Sequence, residues 1–172
     1  MHDELKIIYN DVKEWLKFAE AKNAGFLAFN GVVIFGYYEL LDSKIPLVAN
    51  HIYAVYIGII CCLLSTLLLL ISFFPLNKTV FNLNKKRKVK KVGNTTNTIF
   101  YGSISENNRE SYLENLKEKY NITDDRKNAD LIDQILLNSK ITFYKLEIFK
   151  YSLYLAILAL TLPLLTILIA YI

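Results

Sequence analysis

Groups that carry chemistry are scarce in this chain. It has only two histidines and two cysteines, and His2 and His51 stand apart from the adjacent Cys61 and Cys62. No HExxH, CxxC or GxSxG pattern occurs, and neither does a P-loop nor a dinucleotide fingerprint. Zinc hydrolases, thiol redox proteins, serine hydrolases and the common nucleotide-cleaving folds all need one of these constellations. The expectation is a protein that is not an enzyme and that carries no metal or cofactor. Cys61 and Cys62 sit mid-way along an apolar run and read as small packing residues.

Charge is also missing, but only in places. Ile52–Phe74 is a run of 23 residues with no charged side chain. As a helix it would measure roughly 34 Å, enough to cross a hydrocarbon core of about 30 Å. Ala24–Leu41 carries only Asn30 and Glu39 as strongly polar groups, and Tyr151–Ile172 carries no charge. Three transmembrane helices are therefore expected, with the lipid bilayer as the first partner.

The charge that is present reports topology. Lys and Arg number 4 before the first span, 1 in the loop after it and 15 between the second and third. By the positive-inside rule, the N-terminus and the long central segment lie in the cytoplasm and the C-terminus lies outside. The opening Met1–Lys6 lacks a basic stretch followed directly by an apolar run, so the first span, not a cleaved leader, is expected to direct insertion. The net charge of +4 suits an inner leaflet rich in anionic lipid and does not by itself call for a nucleic-acid polymer.

Proline and glycine, few in number, mark the boundaries. Leu5, Ile8, Val12, Trp15, Leu16 and Ala19 recur at three and four, with no breaker before the first span, so one helix is expected over about Asp3–Leu41. Ala21, Gly25 and Ala28 offer small residues for close helix packing. Asn30, inside the bilayer, needs a partner, either a neighbouring helix or a water-filled path. Pro163 lies in the third span as either a tolerated kink or a gating hinge, with Thr161 and Thr166 at hand for the freed backbone groups.

The fold class that follows is an all-α membrane protein, its spans extended by long helices into a cytosolic bundle. A short β-hairpin of Val80–Leu83 with Ile99–Tyr101 competes with a solvated loop. The expected divisions are an amphipathic helix at 1–23, spans at 24–42, 52–74 and 151–172, an external loop at 43–51, and a basic and helical region at 75–150.

Two stretches have the parts of a binding site. Lys85, Lys86, Arg87, Lys88, Lys90 and Lys91 put six cations in seven residues, suited to anionic lipid or to a phosphate. Phe100-Tyr101-Gly102-Ser103-Ile104-Ser105 joins aromatic faces, a glycine and two hydroxyls just before a helix, either to hold a base and a phosphate or to close the cytosolic core. Arg109 would pair with a phosphate or with a nearby carboxylate. Trp15, Phe18 and Lys22 share one side of the first helix, and Asn23 and Asn30 are one heptad apart.

Trp15–Asn30, Asn97–Ser105 and Asp130-Leu-Ile-Asp-Gln-Ile135, in that order, resemble the transmembrane effectors of the Pycsar antiphage system, the PycTM family. That family opens its first span with W-x-x-x-A-x-x-K-A/N, sets F-F/Y-G-x-I before a cytosolic helix and leads into the last span with D-x-x-x-Q-I. Glu20-Ala21 departs from the family's usual pair before the lysine. The resemblance implies a bacterial inner-membrane effector that binds cyclic CMP or cyclic UMP and then impairs the membrane, arresting or killing the infected cell. Trp15, Lys22, Phe100, Tyr101, Gly102, Ser103, Ser105 and Arg109 are the expected ligand residues, and a homo-oligomer is expected because three spans cannot enclose a wide pore. The readings that stand against it are a constitutive scaffold for a cytosolic protein and a ligand-independent pore-forming toxin.

Overall fold

The computed structural model describes residues 2–42, 49–74, 97–121 and 126–170. Among these residues five helices follow in order: α1 (His2–Asp42), α2 (Ala49–Phe73), α3 (Tyr101–Glu106), α4 (Arg109–Tyr120) and α5 (Arg126–Ala170). Among the described residues there is no strand, and three helical stretches are long and apolar enough to cross a membrane: Asp3–Asp42, Ala49–Phe73 and Asn128–Ile169. The fold is the expected all-α membrane architecture.

The chain divides into two compact units, one of Met1–Glu20 with Pro75–Lys145, the other of Ala21–Phe74 with Leu146–Ile172. The first has an ordinary water-excluding core. Leu5, Ile8 and Val12 of α1 meet Ile104 of α3, Tyr112, Leu113 and Leu116 of α4, and Ile132, Ile135 and Leu136 of α5. Each fully buried aliphatic side chain contributes about 1.5–3 kcal/mol. Asn108 caps α4 by accepting from the Ser111 amide at 2.7 Å, and Asn121 ends it in the left-handed conformation at φ 54°.

The hairpin expectation is corrected at its second strand. The Asn97 side chain accepts from the amides of Ile99 and Phe100 at 3.0 and 3.1 Å, closing a turn, and Tyr101 starts α3. The Thr98 carbonyl accepts from the buried Tyr112 hydroxyl at 3.1 Å and its side chain meets Tyr120. These bonds hold the backbone in a turn and a helix start, not in an extended strand. Val80–Leu83 lies outside the described residues, as does the basic run Lys85–Lys91.

The second unit is organised by hydrogen bonds at heptad intervals. Asn23 donates to Ser72 at 2.6 Å, and seven residues on Asn30 donates to Ser65 at 2.7 Å. A further seven on, Tyr37 lies against Gly58, whose added Cβ would stand 3.1 Å from the tyrosine ring. α1 and α2 thus run antiparallel with rungs in step. α5 joins the middle rung through Ser152, which pairs with Ser65 by both hydroxyls and backbone carbonyls at 2.7–3.1 Å.

Pro163 explains the last rung. Lacking an N–H, it leaves the carbonyl four residues earlier, Ala159, without its helical donor, and the Tyr37 hydroxyl donates to that carbonyl at 2.7 Å. Thr161 and Thr166 instead donate to Leu158 and Pro163. The expected relief of the freed group therefore comes from α1 and not from the threonines.

Two expectations follow. Gly58→Leu would push its side chain into Ala159 O, 3.0 Å from the added Cβ, and should cost about 1–3 kcal/mol in thermal unfolding of the detergent-purified chain. Gly25→Leu, with nothing within 4 Å, should leave it unchanged. Burial holds the Tyr112 phenol well above its ordinary pKa of 10.0, so the unfolded chain loses that proton first and stability should fall as pH rises past about 10. Tyr112→Phe should remove this alkaline loss while costing about 0.5–1.5 kcal/mol at neutral pH.

Candidate functional site

The first unit carries an exposed aromatic groove. On α1, Asp11, Glu14, Trp15 and Phe18 fall at i, i+3, i+4 and i+7 and so share one face, which Ile99 and Phe100 complete from the turn before α3. Trp15 meets Phe18 edge-on at 5.8 Å between ring centroids, Phe100 edge-on at 6.4 Å and Tyr101 at 5.2 Å, and Phe100 and Tyr101 touch at 4.5 Å. Trp15, Phe18 and Phe100 remain 40%, 51% and 42% exposed. Large aromatic rings clustered at a surface beside the carboxylates Asp11 and Glu14 are the kind of patch that marks a binding face.

Gly102 allows this cluster to form. A Cβ there would lie 2.5 Å from Phe100 Cε1, so the phenyl ring occupies the space a side chain would fill. The turn made by Asn97 aims Phe100 at Trp15, and α3 begins with Tyr101 beneath it. Burial raises the Tyr101 phenol above its ordinary pKa.

Of the residues expected at the site, Trp15, Phe100, Tyr101 and Gly102 come together. The rest go elsewhere. Ser105 donates to the Gly102 carbonyl at 2.7 Å and the Ser103 carbonyl accepts from Asn107 at 2.9 Å, because Tyr101–Glu106 is itself helical and uses these groups locally. Arg109 donates through Nε to Asp133 at 2.9 Å, the carboxylate alternative for this residue. Lys22 belongs to the second unit, its ammonium 4.1 Å from the centre of the Phe149 ring.

The membrane residues divide similarly. Asn30 is fully buried on Ser65, and Pro163 is buried opposite Gly58. Ala21, Gly25 and Ala28 are exposed, and among the described residues nothing lies within 4 Å of a Cβ added at Gly25. Among the described residues no group of three or more His, Cys, Asp and Glu is arranged to hold a metal.

Asp11 and Glu14 were not singled out by sequence; their spacing around Trp15 was the available signal. They give the groove an acidic rim, and among the described residues no cation lines it. Glu14 is met by Lys17 at 2.7 Å in an exposed pair that contributes little to stability. The groove can stack a flat ring and accept hydrogen bonds from its edge, while its carboxylates would turn an anionic group away.

Gly102→Ala should displace the Phe100 ring from the only tryptophan of the chain. The expected result is a change in Trp15 emission towards longer wavelength, with stability altered by about 1 kcal/mol at most.

No curated protein and no solved structure matches the chain. A family does: the Pycsar effector protein domain, PycTM, matches residues 4–172, through both units and the five helices described. The chain belongs to the PycTM family of Pycsar effectors, membrane proteins of antiphage defence.

Proposed function

We propose that the protein is a non-catalytic membrane effector that responds to a cyclic pyrimidine mononucleotide, cyclic CMP or cyclic UMP, by impairing the bacterial inner membrane and so arresting or killing the infected cell. The observation that carries the reading is the exposed groove of Trp15, Phe18 and Phe100 in a chain of this family. A pyrimidine stacks on such rings, each stacked base contributing about 1–3 kcal/mol. The acidic rim puts the base, with its N–H donors, against Asp11 and Glu14 and directs the cyclic phosphate away from them.

The supporting topology is cytoplasmic for the N-terminus and residues 75–150, with the C-terminus outside, on the asymmetry of Lys and Arg. Homo-oligomers would form on α1, whose outward face carries Ala21, Gly25 and Ala28 where α2 and α5 present Leu and Ile. α1 and α5 supply both units, so a nucleotide that binds one arrangement of the first unit better than another has a covalent route to the spans.

Thermal unfolding of the detergent-purified chain should rise with one of the two nucleotides, by about 2.7 kcal/mol at 100 times its Kd. Trp15→Ala and Phe100→Ala should each weaken that stabilisation about 5- to 150-fold in apparent affinity. No shift with either nucleotide in folded protein would move the assignment to a scaffold that recruits a protein partner through the groove.

A further inference from the structure

We infer that the inward polar face of the second unit, formed by Asn23, Asn30 and Tyr37 of α1, Ser65 and Ser72 of α2 and Ser152 of α5, is the closed form of an aqueous path for small ions. The inference rests on the membrane-impairing function proposed above and specifies where the membrane is breached: within each chain, and not between copies.

The first argument is placement. These hydrogen-bonding side chains recur every seven residues on α1 and all turn inward, so from Asn23 to Tyr37 they extend over about 21 Å of helix. The outward faces of α2 and α5 present Ile57, Leu64, Leu67, Ile157, Leu158 and Leu165. Water entering between copies along those faces would meet hydrocarbon, whereas along the inward face it would meet amides and hydroxyls.

The second argument is an unused acceptor. Asn30 is fully buried, its amide N–H bonds Ser65, and its Oδ1 has no hydrogen-bond partner among the described residues. If these residues served packing alone, an aliphatic side chain would fill the same space with nothing left unsatisfied. An acceptor held open at the middle of a span, beside two serine hydroxyls, suits a transient water or a partly hydrated cation.

The third is the ease of separation. Where the three helices meet, Gly58, Cys61, Cys62 and Ala159 are small, with Val33, Ile34, Tyr37 and Pro163 set against them. Along the polar rungs, parting the helices breaks hydrogen bonds that entering water replaces.

The test uses the full chain in vesicles of phosphatidylethanolamine and phosphatidylglycerol, with Cys61→Ala and Cys62→Ala removing the native thiols. Ser65→Cys or Ser152→Cys then places one thiol on the inward face, and Leu67→Cys or Leu158→Cys places one outward on the same helices. Cyclic CMP and cyclic UMP are added separately, potassium release is followed, and a charged methanethiosulfonate is applied. The inward thiols should be protected before nucleotide, react once release begins, and stop the release when modified; the outward thiols should remain unmodified.

Potassium release with the inward thiols still protected would overturn the path and leave membrane impairment standing. Absence of release with both nucleotides would overturn the two together. A second variant guards against misfolding of the cysteine proteins: Asn30→Leu with Ser65→Ala should unfold at a temperature no lower than the unmodified chain and lose release. Undiminished release from that variant would also overturn the path.

Discussion

Inside a bilayer a polar side chain has no water to turn to, and it must find its partner on another helix or remain unsatisfied. That constraint sets the second unit. Asn23, Asn30 and Tyr37 appear every seventh residue on α1, and Ser72, Ser65 and Gly58 descend at the same interval on α2, so only one antiparallel register gives every rung its donor, acceptor or space. A slip of one residue would turn both amides towards lipid. Apolar contact between these helices cannot set the register, since lipid tails are as good a neighbour for Leu as Leu is.

Pro163 extends the same logic into the backbone. By withholding one donor it leaves the Ala159 carbonyl available, and Tyr37 takes that acceptor. What looks in sequence like a defect in α5 is the point at which α1 is attached to it. The first unit is held differently: burial of Leu, Ile and Tyr112 forms its core, and hydrogen bonds such as Tyr112 to Thr98 select among packed arrangements.

Much of the fold was legible because length and periodicity are carried by many residues at once. The charge-free run at Ile52–Phe74 and the three-four spacing from Leu5 onward do not depend on any single side chain. Register was not legible. Asn30 announced that it needed a partner, but Ser65, Ser72 and Ser152 are ordinary small residues whose role exists only once the helices face each other. The site shows the same division: Trp15, Phe100, Tyr101 and Gly102 were marked by type and meet in space, whereas the Ser105 hydroxyl bonds back to its own helix and Arg109 found Asp133. Between the hairpin and the loop left open for Thr98–Tyr101, the hairpin finds no support, because a buried tyrosine and an Asn turn outweigh local propensity.

The division of the first unit between the two ends of the sequence bears on its biogenesis. Leu5, Ile8 and Val12 leave the ribosome more than a hundred residues before Ile132 and Ile135, and the first two spans are made in between. The nascent N-terminal helix therefore waits, half of its core missing, until α5 has been made. The core beneath Trp15 and Phe100 is completed only then, so the groove is among the last features of the chain to form.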